Sequence, residues 1–190
     1  AMRFDEPIPE GSTLRQIRGM EGARVRAAYA RASRTYGVPW SGREYDRRNW
    51  DHSDPVNRAL SAANSCLYGV CQAAIVALGY SPALGFIHSG KMLSFVYDVA
   101  DLYKIDLTIP VAFEETAKGA HQLESRVRHR CRDMFAENHL LEMIVDDLEM
   151  LFDGVELPGE DLVDSDMALP GDLWDPGGNL PGGRNFGSDV

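Results

Sequence analysis

The run from Val56 to Leu78 constrains this chain most. It is the most apolar stretch of the 190 residues, with Asp54 and Pro55 before it and Gly79 after it. A capping carboxylate, a proline at the first helical position and a closing glycine mark the two ends of one helix. Asn57, Arg58, Asn64, Ser65 and Gln72 interrupt it, and that much polarity argues against a bilayer-spanning segment. It reads instead as a helix buried on most sides. Such a helix needs other elements packed around it, and the rest of the chain offers helices. Strand signals are weak, with Gly85 to Ile87 too short to count. The expected fold class is all-α.

Ser12 to Tyr36 reads as a second long helix. Thr13 and Gln16 have capping-box spacing and Gly37 stands where a left-handed C-cap belongs. A polar loop, 38 to 53, follows and carries Trp40, Tyr45 and Trp50. Beyond the buried helix, the Ser81-Pro82 turn and a turn around His88 lead into a short helix holding Asp98. Pro110 begins or breaks the next element, and Val111 to Ala117 reads as a short helix. Glu124 to Glu137 turns Val127, Cys131, Met134 and Phe135 inward. His139 to Phe152 is amphipathic, with Leu140, Leu141, Ile144, Leu148 and Leu151 on one face. Residues 155 to 190 are rich in Pro-Gly, Gly-Gly and aspartate and read as a largely disordered acidic tail. The domain division expected is 1–154 and 155–190. Leu162, Leu169, Leu173, Trp174 and Phe186 in the tail are possible anchors for a partner.

The net charge is −10, a balance that taken as a total argues against a polyanionic partner. Its distribution changes the picture. The tail holds eight acids against one arginine, so −7 of the charge sits there and −3 on the remainder. Sixteen of the nineteen cations are arginines, grouped at Arg15 to Arg34, at Arg43, Arg47 and Arg48, and at Arg126, Arg128, Arg130 and Arg132. Arginine's planar fork suits phosphate. Local basic strips can bind a polyanion despite a negative total, because screening cuts off interactions beyond about 8 Å in physiological salt. A solvated helix face carries the same pattern. The three cysteines, Cys66, Cys71 and Cys131, have neither metal-ligand spacing nor an even framework, which suits a reducing, cytoplasmic setting. No signal peptide and no membrane span is expected.

The chemistry-bearing stretch is Gly85 to Lys104. His88 lies in a Gly-flanked turn, and Asp98 and Asp101 follow three residues apart. At about 100° per residue, Phe95, Val96, Val99, Leu102 and Tyr103 share one helix face, and Tyr97, Asp98, Asp101 and Lys104 the other. One imidazole with two nearby carboxylates can hold a hard divalent cation. A surface helix with two solvated aspartates has the same spacing. Glu21 adds a third acid, inside the apolar stripe Leu14, Ile17, Val25, Ala28, Ala32 of the first long helix. A carboxylate there needs a cation or hydrogen bonds, and an arginine would serve as well as a metal. Gly19 and Gly22 beside it would let another chain approach closely.

Four blocks then carry a resemblance: R-G-M-E-G-A-R-V-R (18–26), S-C-L-Y-G-V (65–70), G-F-I-H-S-G-K (85–91) and S-F-V-Y-D-V-A-D (94–101). In this order and spacing, over roughly residues 2 to 154, the chain resembles the CRISPR-associated integrase of spacer acquisition, the type I-E subfamily above all. The resemblance implies a metal-dependent endonuclease and integrase acting in antiviral defence. Such an enzyme joins the 3′-hydroxyl of a captured DNA fragment to the repeat by phosphodiester transesterification. By resemblance Glu21, His88 and Asp98 bind Mg²⁺ or Mn²⁺ and Asp101 is a further essential acid. A His ligand shifts preference somewhat toward Mn²⁺. Lys91, Tyr45 and Tyr97, with the C-terminal tail, match positions that recognise the incoming DNA. Members carry an N-terminal β-rich domain, and this chain reads as the helical catalytic part without it.

Other residues suit strand handling. Tyr45, Tyr68 and Tyr97 could stack on splayed bases, although Tyr68 also fits a buried-helix tyrosine. Lys104 could sit on a phosphate or pair with Asp101, and Arg128 and Arg132 suit the DNA backbone. The resemblance also implies a homodimer flanking a small ferredoxin-like partner of CRISPR adaptation. A plain metal-dependent DNA nuclease and a non-catalytic DNA-clamp subunit are the alternatives.

Overall fold

The computed structural model describes residues 8–9, 11–43 and 54–153. Tyr45, Trp50, the arginines at 47 and 48 and the tail lie outside the described residues. The chain divides into two units, Ala1–Leu151 and Phe152–Val190. The first unit carries the helical domain.

Among the described residues six α-helices run in order: α1 (Leu14–Tyr36), α2 (Pro55–Ala77), α3 (Ser94–Ala100), α4 (Ile109–Ala117), α5 (Leu123–Glu137) and α6 (Leu140–Phe152), with one π-helical turn, Lys104–Thr108, leading into α4. No strand occurs among the described residues, and the all-α expectation holds.

The ends of α1 and α2 follow from local chemistry. At the start of α1 the Thr13 side chain accepts from Gln16 N–H, and Gln16 Oε1 accepts from Thr13 N–H at 2.8 Å. This reciprocal box satisfies two donors that the first turn leaves without helical partners. Gly37 ends α1 at φ 65°, a left-handed conformation that costs a side chain energy. Asp54 caps α2, its Oδ1 accepting from Asn57 N–H at 2.7 Å, and Pro55 loses nothing there because its absent N–H would have lacked a helical acceptor.

Helix α2 is the hub. It packs against α5, α4 and α3, while α1 packs on α4. By length and composition alone α2 could cross a membrane, yet in this fold Leu60, Leu67 and Ile75 are wholly buried. Each such side chain contributes about 1.5–3 kcal/mol relative to exposure. Its two buried amides are satisfied: Asn57 receives Arg43 Nη1 at 2.6 Å, and Asn64 receives Thr108 Oγ1 at 2.8 Å. Phe95, Val96 and Val99 of α3, Val111 and Phe113 of α4, Val127 and Cys131 of α5, and Ile144 and Leu148 of α6 complete the core. Tyr29 stacks on Trp40 at 4.5 Å, and Trp40 meets Phe113 at 5.6 Å, tying α1 and the following loop to α4.

Three sequence expectations change. The inward seam of α6 is Leu140, Ile144 and Leu148; Leu141 and Leu151 are exposed, Leu141 because a 100° step carries it past the seam's edge, whereas Leu151 keeps the seam's direction but lies in the last turn of the helix. The short helix before residue 117 begins at Ile109, with Pro110 in its first turn. Helix α3 stops at Ala100, so Asp101 is its C-cap rather than an interior residue.

Candidate metal and nucleic-acid site

Asp98 does not share a solvated face with Asp101. The loop before α3 folds back over it. Asp98 Oδ2 accepts from the backbone N–H groups of Phe86 (2.5 Å) and Ile87 (2.9 Å), and Oδ1 accepts from His88 N–H (3.0 Å) and pairs with His88 Nδ1 (2.7 Å). Four bonds fill the roughly four acceptor positions of a carboxylate. The side chain is only 6% exposed. Burial pushes its acidity down, but the Ile87 N–H, the His88 ring and the His88 and Phe86 N–H groups outweigh burial and hold the carboxyl below its usual pKa.

This arrangement requires Gly85. A Cβ there would overlap the His88 carbonyl oxygen and stand 2.8 Å from the Ser94 carbonyl carbon and 2.9 Å from Asp98 Oδ2. Two of those atoms are backbone and cannot turn aside.

Asp98 therefore serves His88. An ionised carboxylate only accepts, so Nδ1 carries the proton of their bond, and in the neutral ring Nε2 keeps its lone pair. Histidines that bind metals are commonly oriented through their other nitrogen in this way. The His88 side chain is 39% exposed and meets Tyr97 edge-on at 5.8 Å.

His88, Glu21 and Asp101 line one cavity of about 1190 Å³, together with Lys91, Tyr97, Tyr68, Lys104 and Arg128. Asp98 is not in its lining. Lys104 Nζ lies 2.6 Å from Asp101 Oδ1 and 4.9 Å from the centre of the Tyr68 ring. Burial favours the neutral amine, but the Asp101 carboxylate and Tyr68 outweigh it and hold the ammonium above its usual pKa. The π-helical turn begins at Lys104, and such turns recur at functional sites. Tyr68 and Tyr97 meet edge-to-face at 5.0 Å, and Lys91 Nζ stands 6.0 Å from the Tyr97 ring. Of the two readings of Lys104, the ion pair with Asp101 is the one seen. Tyr68 is half-buried and reaches the cavity.

The expected convergence of Glu21, His88 and Asp98 on one point is not found. Among the described residues no group of three or more His, Cys, Asp and Glu stands close enough together to hold a metal ion. Asp98 is committed to backbone donors, and Glu21 faces a guanidinium fork: Arg24 Nε and Nη2 reach its two oxygens, each at 3.1 Å. The donors that line the cavity, His88 with the carboxylates of Asp101 and Glu21, do fit a hard divalent cation in kind. Arg132 lies outside the cavity, bonded to Asp133 at 2.6 Å.

Sequence reasoning missed the cavity's far wall. Asn57, Ser61, Asn64 and Ser65 line it, beside the expected Tyr68. Their three- and four-residue spacing puts a polar stripe on an otherwise apolar helix, and that signal was available. Arg43 closes this end, reaching Asn57 and Ser61. Cys66 is in the wall too. A hydrogen bond from Cys131 pulls its thiol down to about 7; burial opposes this and Arg128 assists it.

Comparison with known proteins identifies the family. The family described as CRISPR associated protein Cas1 matches residues 3–132. The CRISPR-associated endonuclease Cas1 2 of Thermus thermophilus is 58% identical over 189 residues, covering 99% of this chain and 58% of that protein. The CRISPR-associated endonuclease Cas1 of Escherichia coli is 44% identical over 180 residues, covering 93% of this chain and 59% of that protein. The chain thus spans about three-fifths of the length of these relatives. A crystal structure of a TtCas1–DNA complex superposes with a TM-score of 0.75 at 56% identity, over 97% of this chain and 62% of that one. With the matched region running through the His88 loop, the cavity and most of α5, the chain belongs to the CRISPR-associated Cas1 family.

Proposed function

We propose that this chain is the helical catalytic part of a CRISPR-adaptation nuclease and integrase that joins DNA 3′-hydroxyl ends by metal-dependent transesterification. One observation carries the reading: His88, Glu21 and Asp101 line the same cavity as Tyr68, Tyr97, Lys91, Lys104 and Arg128. Its volume of about 1190 Å³ exceeds the roughly 300–1,000 Å³ of small-molecule pockets, which favours a polymer ligand. The relatives named endonucleases and the DNA-bound neighbour support DNA as that polymer.

In this reading His88, Asp101 and Glu21 hold Mg²⁺ or Mn²⁺, and Asp98 moves from ligand to positioning residue. The bound cation would supply charge stabilisation at the phosphate and a lowered pKa for the attacking hydroxyl. Asp98 keeps the His88 ring in one tautomer and orientation through the Nδ1 bond. Lys104 holds Asp101 and can move its ammonium to a phosphate oxygen when DNA enters. Tyr97 and Tyr68 offer ring faces and edges to unstacked bases, with Lys91 beside Tyr97. Arg128 binds backbone at the rim. Tyr45, the acidic tail, a homodimer and the small ferredoxin-like partner belong to the same reading, which places them in the assembled protein.

The experiment is strand transfer with a branched DNA carrying a free 3′-hydroxyl, read by product length and repeated in a full-length relative carrying the matching substitutions. Joined product lost on His88→Ala and on Asp101→Asn is the result expected. Hydrolysis products without joining would make the protein a plain nuclease. Binding without either product would make it a clamp subunit.

A further inference from the structure

The Glu21–Arg24 pair stands where the cavity needs a ligand. Glu21 is in the cavity wall and Arg24 is not. The fork is bidentate, with both carboxylate oxygens engaged at 3.1 Å. The two residues sit one turn apart on α1, where side chains at i and i+3 are neighbours, and Gly22 and Ala23 between them are too small to obstruct the fork. A Cβ on Gly22 would meet Arg26 Nη1 at 3.3 Å, so a second guanidinium folds back over the same turn. Glu21 is thus held on the cationic flank of α1, and no three donors among the described residues come together in the cavity.

We propose that Arg24 is a latch on Glu21, which withholds this carboxylate from the divalent-cation site until a stronger competitor takes one of the partners. The inference rests on reading Glu21 as a ligand of that site. The pair is poised for exchange. Its side chains keep 26% and 19% exposure, and pairs that water reaches are weak, shifting a competing equilibrium by roughly two- to fivefold. A divalent cation held by His88 and Asp101 competes for Glu21 from the cavity. A phosphate of the DNA backbone competes for Arg24 from outside, since its oxygens match the same fork. Each event favours the other, and linkage makes the effect reciprocal.

Calorimetric titration of Mn²⁺ into the full chain, without DNA, tests this. Arg24→Gln should tighten Mn²⁺ binding by about two- to fivefold, and Arg24→Lys, which keeps the charge but lacks the second prong, should fall between Gln and the native arginine. Circular dichroism melts establish that both variants are folded. Unchanged or weaker Mn²⁺ binding by Arg24→Gln overturns the latch. So does tightening by Arg24→Gln with Arg24→Lys identical to the native protein, because charge alone would then explain it. His88→Ala and Asp101→Asn separate this from the underlying reading. If they weaken Mn²⁺ binding while Arg24→Gln does nothing, the latch falls and the metal site stands. If none of the variants alters Mn²⁺ binding, both fall.

Discussion

Replacing Gly85 by alanine tests the site's architecture with a single methyl group. No left-handed backbone is involved; the constraint is space. The added Cβ would overlap the carbonyl oxygen of His88 and come within 2.8 Å of the Ser94 carbonyl carbon and 2.9 Å of Asp98 Oδ2. Overpacking of this kind costs about 1–3 kcal/mol when neighbours can shift. Here a shift moves the Phe86 and Ile87 N–H groups off Asp98, and each hydrogen bond to a charged acceptor is worth about 1.5–3 kcal/mol. The combined loss should be at least about 4 kcal/mol, or roughly 8–16 °C in melting temperature for a domain of this size. Thermal melts give the magnitude, and nitrogen-15 NMR of the histidine ring gives the mechanism. The native His88 should hold its proton on Nδ1, and the variant should lose that preference. A melting temperature within about 1 °C of native, with the His88 tautomer unchanged, would refute the reasoning.

The same geometry sets other outcomes. The Asp98 pKa is depressed in the folded chain, so its contribution to stability is complete above the unfolded value of about 4 and is lost as pH falls through the lower folded value. Asp98→Asn should be less stable at neutral pH by about 2 kcal/mol and lack that acid-side loss, as melts across pH would record. Cys66, with its thiol at about 7, should be alkylated by iodoacetamide with a rate half-maximal near that pH. Cys71, whose thiol burial pushes up to about 12, should resist, and Arg128→Ala should move the Cys66 midpoint upward. Thr13→Ala removes the α1 cap and should cost about 1 kcal/mol in urea unfolding.

The helices were legible because their signals are local. A cap needs a side chain and an N–H three residues away, as at Thr13–Gln16 and Asp54–Asn57, and a left-handed end needs a glycine, as at Gly37. Periodicity put Phe95, Val96 and Val99 inward and recognised α2 as a core helix. The four motif blocks were legible in the same way, as short strings in order, and they pointed to the family. For Glu21 the sequence allows a metal or an arginine, and the arginine proves to be one of its own helix, three residues on.

The separation of Asp98 from Asp101 could not be read locally. Both lie on one side of a helical wheel, and the wheel does not contain the loop 85–88, whose backbone N–H groups cover one acid and leave the other facing the cavity. That outcome depends on bonds spanning ten to twelve residues and on a glycine needed for room rather than for its dihedral angle. The same holds for Thr108 with Asn64, forty-four residues apart, and for Cys66 with Cys131 across α2 and α5. From the sequence alone came the list of chemically able residues and the helices that carry them. Which of those residues are consumed in building the wall, and which are presented to a ligand, depends on how the helices and loops pack, because only packing decides where water is excluded and which buried polar groups must bond to one another.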